Sequence, residues 1–393
     1  MMPRRIEELD ALRGFMLVWI TLTHLPTVVS HYVNQPFGYV AATEGFIFLS
    51  ALFTGRIYFN IADREGNPAM RRKLWMRAGR LYCYQLLLLG IAFLIGAPIA
   101  AHGNRPAMHN LLNFYFSSNR IHAFVDAALM IYRPPLLDIL PIYIMFLALT
   151  PFALILGSRL GWKYVFAGGF TVWLLAQFGF RGFVYNFMVH AFGLRIPLNE
   201  MGAFDLWAWQ LWWMVGLWLG VRWAKGDLHL DIWTKRMLVP AAIVAAFFLV
   251  LRQAQNAGLV ELGRMAFLVN KWRFGLGRIV DFAALATLAI YFRAALRRLA
   301  IQPLAMLGKA SLEVFCVHLL CVFTALLILG NRPVIGGWQA MVIVLTSLSA
   351  LVVTARIVTH RRAKAVTDRL ARPSIQPPLQ PGYGEEVATD KAA

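Results

Sequence analysis

Residues 10–24 read Asp10-Ala11-Leu12-Arg13-Gly14-Phe15-Met16-Leu17-Val18-Trp19-Ile20-Thr21-Leu22-Thr23-His24. Between its polar ends it is apolar apart from two threonines. Extended to about residue 30, it reaches the ~20 residues that cross a bilayer as a helix. An ionisable group inside the hydrocarbon costs roughly 2.5–3.5 kcal/mol on insertion scales, so it is retained where it has a task or a partner. Arg13 and His24 are eleven residues apart. At ~100° per residue they return to within about 20° of one helix face, about 16 Å apart along the axis. Asp10 lies one turn before Arg13, close to the same face. One polar stripe therefore runs from the membrane surface into the apolar layer and marks a functional site.

Runs of this kind recur along the chain. Of its 393 residues, 59% are hydrophobic and only 15% charged. Spans are predicted at about 11–30, 39–59, 78–100, 138–157, 163–180, 205–224, 237–254, 276–295, 304–330 and 338–360. The runs lack barrel-like alternation, which leaves helices as the spanning structure. The expectation is an all-α, polytopic membrane helix bundle of about ten transmembrane helices with no soluble domain. It occupies residues 1–360. Residues 361–393, basic and then Pro-rich, are expected to form a disordered cytoplasmic tail.

The net charge of +19 excludes less than it suggests. The basic residues cluster beside apolar runs, as in Arg71-Arg72-Lys73, Lys235-Arg236, Arg297-Arg298 and Arg361-Arg362. That is positive-inside patterning against a lipid bilayer, and no nucleic-acid-binding motif accompanies it, so no nucleic-acid partner is expected. An even number of spans puts both termini on one side, and the charge bias puts that side in the cytoplasm. Three long loops, about 101–137, 181–204 and 255–275, then face outward. They are rich in aromatic residues and cations such as Arg120, Arg133, Arg181, Arg195, Lys271 and Arg273, as headgroup-level segments are. Arg4 and Arg5 precede the first run as in a signal peptide, but no small-residue cleavage site closes that run, which reads as a retained span.

The polar residues inside the spans carry the chemistry. Glu44, on the second span, lies at the depth of His24. A Glu44–His24 pair would fix the imidazole tautomer and raise the basicity of the other ring nitrogen. Span nine carries Lys309, Ser311, Glu313 and His318. Lys309 and Glu313, four apart, are expected to neutralise each other, while Ser311 and His318, seven apart, share a face. Asp138 opens span four as an N-cap. Arg278 and Asp281, three apart, are expected to pair, and Trp209 and Gln210 to pack. The three cysteines, Cys83, Cys316 and Cys321, read as buried thiols. Nine scattered histidines give no metal spacing, and Ser50 lacks the Gly-x-Ser-x-Gly elbow of a hydrolase. No internal repeat or phosphate loop is present.

The Arg13-x10-His24 arrangement, preceded by Leu9-Asp10-Ala11-Leu12-Arg13-Gly14, resembles the first-helix signature of the membrane acyltransferase family 3 superfamily. Within it, Ala41-Ala42-Thr43-Glu44-Gly45-Phe46-Ile47-Phe48-Leu49-Ser50, Leu137-Asp138-Ile139-Leu140-Pro141-Ile142-Tyr143 and Trp209-Gln210-Leu211-Trp212-Trp213 look like motifs of the OpgC family. The chain has alanine at 41 and 42 where the family pattern carries an acid, and Ala51 where it carries glycine.

The resemblance implies an O-acyltransferase of the bacterial inner membrane. It would move an acyl group, succinyl in the namesake, from a cytoplasmic acyl-CoA to hydroxyls of a periplasmic glucan or other envelope saccharide. No cofactor is expected to stay bound, and no metal. His24 would be general base or acyl carrier and Glu44 its orienting acid. Asp10, Arg13, Ser50, Asp138, Trp209, Gln210, Lys309, Ser311, Glu313 and His318 form the donor- and substrate-binding set. Two other readings fit the residues: a transporter or flippase for a polar or anionic solute, since buried ionisable groups also mark solute paths, and a structural membrane subunit.

Overall fold

The structure, a computed structural model, describes residues 7–228, 230–299 and 301–371. The expected all-helical class is what it shows. Among the described residues there is no strand, and one isolated bridge pairs Thr27 with Ile335. Five helices among the described residues are long and apolar enough to cross a membrane: Ala42–His102, Ile139–Arg159, Lys235–Asn256, Ser311–Leu329 and Gly337–Ala365. The expected count of ten is not matched by such helices. At two of the predicted spans, 163–180 and 276–295, the helices Trp162–Gln177 and Leu276–Tyr291 are 16 residues each, or about 24 Å at 1.5 Å per residue, short of a ~30 Å hydrocarbon layer.

Helix α1, Glu7–His24, ends where Pro26 forbids another turn. His24 is therefore the last helical residue, not a residue six short of the end of a span reaching 30. Helix α2, Ala42–Ile91, continues through a π-turn into Ala97–His102, 61 helical residues in all. A straight helix of that length would measure about 90 Å. It is broken at Gly66, whose φ of 85° and ψ of 167° lie where only glycine sits at ease. Pro68 follows at a position where its fixed φ suits a new helix start. The two predicted spans 39–59 and 78–100 flank this break.

The remaining long helices are α3 (Ile139–Arg159), α4 (Trp162–Gln177), α5 (Phe180–Phe192), α6 (Leu206–Ala224), α7 (Leu230–Asn256), α8 (Leu276–Tyr291), α9 (Gln302–Lys309), α10 (Ser311–Leu329) and α11 (Gly337–Ala371). The first predicted outer loop is not loop throughout: it holds short helices at Pro106–Leu111, Asn113–Ser117 and Arg120–Ala128. The last helix carries residues 361–371 of the predicted tail, and 372–393 lie outside the described residues. Predicted span nine is two helices, because the chain breaks at Ala310 (φ −108°, ψ 28°). Arg4 and Arg5 also lie outside the described residues.

The core is built from α2, α3, α6 and α10 around Trp209, Trp212, Trp213, Phe274 and Leu17. Each buried indole spends its N–H. Trp213 donates to Thr150 Oγ1 at 3.0 Å, and Trp212 donates to the Glu44 carbonyl at 3.1 Å. In an apolar interior such donors cost free energy unless paired, so these bonds fix the register of α6 against α2 and α3. Helices α1 and α9 meet backbone to backbone. A Cβ at Gly14 would strike the Leu304 carbonyl, and one at Gly308 the Asp10 carbonyl. Small residues permit that approach, as in other membrane helix pairs. It brings the start of α10 against Arg13.

Candidate active site

Arg13 and Ser311 touch across the α1–α10 contact. Arg13 Nη2 donates to Ser311 Oγ at 2.6 Å, and its guanidinium lies over the Phe53 ring at 5.3 Å. Both residues line a cavity of about 920 Å³ with Asp10, Ser50, Lys309 and Glu313. Eight basic side chains face it (Arg13, Arg56, Arg64, Lys73, Arg77, Arg80, Lys309 and Arg362) against three carboxylates, Asp10, Glu65 and Glu313. Lys73 pairs with Glu65 and Arg362 with Glu313, each at 2.6 Å, which leaves a cationic surplus. A concave, low-dielectric surface of one sign concentrates anions, and arginine suits phosphate in particular. The Ser50 hydroxyl lines the same cavity, is buried, and meets no partner among the described residues.

The wall of the cavity includes Phe46 and Phe315, whose rings stack at 6.0 Å. Behind Phe315 lies His318, with ring centroids 4.8 Å apart. His318 is wholly buried, and its Nδ1 stands 2.7 Å from the Phe315 carbonyl. A carbonyl only accepts, so this nitrogen carries the proton and His318 Nε2 is left as an acceptor. That acceptor stands 3.3 Å from His24 Nδ1, with the two rings stacked at 5.6 Å. His24 Nδ1–H therefore donates to His318, and the lone pair of His24 falls on Nε2. His318 is thus the group that fixes the His24 tautomer, and His24 is the more accessible ring of the two.

The expected Glu44–His24 pair is absent, and this is the principal correction. Glu44 makes a buried ion pair with Arg278, accepting from both Nε (2.9 Å) and Nη2. Its Oε2 also accepts from the Ala41 N–H at 3.0 Å, closing a capping contact at the start of α2. Two charges fully out of water hold each other more tightly than a neutral ring could hold either. The same pair overturns the expected Arg278–Asp281 contact: Asp281 Oδ2 accepts from the Tyr39 N–H at 2.7 Å. The expected Lys309–Glu313 neutralisation fails because Ala310 breaks the helix between them. Lys309 reaches Glu7 at 3.4 Å and Glu313 takes Arg362.

Three more predicted residues lie away from the cavity. Asp138 makes no side-chain cap to its helix; its Oδ2 accepts from the Ala203 N–H at 3.0 Å and ties α3 to the loop before α6. Trp209 is fully buried and donates to the carbonyls of Lys271 and Trp272. Gln210 donates to the Gly169 carbonyl at 2.6 Å, joining α6 to α4. Cys83 is exposed rather than buried, whereas Cys316 is buried. Arg56 and Arg77 line the cavity without having stood among the predicted site residues, and Lys271 was expected only as a cation of an outer loop. Arg77 had a signal, because Tyr143 of the quoted Leu137–Tyr143 stretch accepts from its Nη2 at 2.7 Å.

The description "OpgC protein" belongs to the family model that matches residues 4–363. The chain belongs to the OpgC family. No curated protein and no solved structure matches it. In this OpgC-family chain the match spans every element of the site, from Asp10 on α1 to Arg362 on α11. It takes in the basic cavity, the His24–His318 pair and the Glu44–Arg278 pair together.

Proposed function

We propose that this protein is an O-acyltransferase of the bacterial inner membrane, within the membrane acyltransferase family 3 superfamily. It transfers an acyl group, succinyl by family membership, from a cytoplasmic acyl-CoA to hydroxyls of a periplasmic glucan. One observation carries the reading: a tautomer-fixed imidazole stands past the aromatic end of a cavity with a cationic surplus. The donor's phosphates suit the Arg56, Arg64 and Arg80 side of that cavity, which this reading places at the cytoplasmic face with both termini. Arg13 and the Ser50 hydroxyl suit the polar atoms of the arm that leads toward the thioester.

The acceptor comes from the opposite face. As its hydroxyl oxygen forms a C–O bond to the thioester carbon, His24 Nε2 takes the hydroxyl proton. The C–S bond then breaks, and the imidazolium returns the proton to the departing thiolate. Neither atoms nor charge are left over. His318 acts through His24, holding the ring and stabilising its cationic form while the proton is on it.

The test compares the masses of periplasmic oligosaccharides from a strain lacking the gene with those of its parent. Loss of an ester-linked acyl increment in the deletion supports the reading. Identical glucan masses in the two strains contradict it.

A further inference from the structure

Lys271 is a cation that the mechanism above does not use. It sits in the turn between the Gly263–Val269 segment and α8, and Trp209 on α6 pins its carbonyl. Its ammonium lies against two aromatic rings, 5.8 Å from the centroid of Phe204 and 5.2 Å from that of Trp272. Among the described residues it meets no carboxylate within ion-pair distance, although Glu44 and Asp138 both act on it electrostatically. Their charges are committed elsewhere, Glu44 to Arg278 and Asp138 to the Ala203 N–H. The Lys271 charge is also felt at the His24 ring. Burial holds the ammonium below its ordinary value, with Glu44 and Asp138 opposing that effect and Arg278 adding to it. A half-buried cation whose charge reaches the proposed base, and whose close side-chain contacts among the described residues are aromatic rings, is an unfilled half of a charge-assisted bond.

We propose that Lys271 receives a carboxylate carried at the far end of the transferred acyl group, and so selects a dicarboxylic half-thioester over a neutral acyl chain. The inference rests on the acyltransferase reading and names the feature of the donor that the site checks. The acyl group is favoured over the acceptor because Trp272 and Phe204 flank the ammonium. A polymeric saccharide would present a hydroxyl to His24 and stay hydrated elsewhere, whereas the short hydrocarbon of an acyl chain suits the two ring faces beside the ammonium. Selection of this kind is strong: a site built to pair a charged group rejects the analogue that leaves its buried partner unpaired.

The experiment uses the full-length protein in detergent with a glucan oligosaccharide acceptor. It compares kcat/KM for succinyl-CoA and butyryl-CoA, which differ in a carboxylate against a methyl. The wild-type protein is expected to favour succinyl-CoA by roughly 10- to 100-fold, the range for one charged hydrogen bond. Lys271→Met is expected to remove most of that preference by lowering the succinyl-CoA value alone, and Lys271→Arg to keep it. The monomethyl ester of succinyl-CoA tests the wild-type protein without any variant and is expected to behave like butyryl-CoA. An equal loss with both donors in Lys271→Met, an unchanged preference, or full use of the methyl ester each overturns the inference. If the wild-type protein transfers no acyl group from either thioester, the acyltransferase reading itself has failed.

Discussion

His24→Ala is expected to abolish acyl incorporation while the protein still inserts and accumulates. His24 lies at the last turn of α1, is partly accessible, and packs on His318 through a single ring face. Its removal takes away no core apolar contact comparable to Leu17 or Trp209. The loss of a general base costs roughly 10²- to 10⁴-fold in rate. The residual activity then falls at the low end of what a mass measurement resolves. His318→Gln is the companion variant. It keeps a side chain able to accept from His24 Nδ1–H, so its loss is expected to be smaller than that of His24→Ala. Normal acylation in His24→Ala, with normal protein levels, would remove His24 from the reaction.

Glu44→Ala is expected to fail in a different way. Glu44 and Arg278 are 0% and 1% exposed, and the guanidinium has Glu44 as its only carboxylate within ion-pair distance among the described residues. Cutting one partner leaves a buried charge with nothing opposite it, a cost of about 3–5 kcal/mol. The Ala41 N–H at the start of α2 loses its acceptor as well. The variant is therefore expected to show reduced accumulation and a lower thermal midpoint in detergent. Glu44→Ala with Arg278→Leu is expected to recover much of that stability, since both charges are then gone. If Glu44 instead served His24 directly, Glu44→Ala would fold normally and be inactive, and adding Arg278→Leu would bring no gain in stability. Thermal unfolding followed by fluorescence, with activity on the same samples, separates these outcomes.

The helical class was legible because apolar runs of membrane length need no tertiary information to be read. The Arg13–His24 stripe was legible for the same reason, since both residues lie on one helix with fixed pitch. What sequence could not supply was azimuth across helices. Depth matched Glu44 to His24, yet depth says nothing about which way a side chain points. The partner of Glu44 lies 234 positions away and that of His24 lies 294 positions away. His318 was on the page as a polar residue in span nine, without any signal that it faced α1. Local pairings failed where the backbone departed from a regular helix. The four-residue spacing of Lys309 and Glu313 assumes a continuous turn, and Ala310 removes it. Gly66 falls between the predicted spans 39–59 and 78–100, where hydropathy marks a gap but not the residue at which the helix breaks. The basic cavity was half legible: positive-inside patterning reported its cations as a topology signal, although several of them converge on one space.

In the proposed reaction a donor held at the basic cavity gives its acyl group to a hydroxyl on the other face. Sealed vesicles carrying the purified protein in one orientation test it most directly. They hold the glucan acceptor inside and receive succinyl-CoA, labelled in the succinyl group, at the face bearing the basic cavity. The prediction is label in ester linkage to the enclosed glucan, released by mild alkali and absent with His24→Ala vesicles. Label that crosses the membrane without becoming esterified, or glucan that stays unlabelled with the wild-type protein, would contradict it.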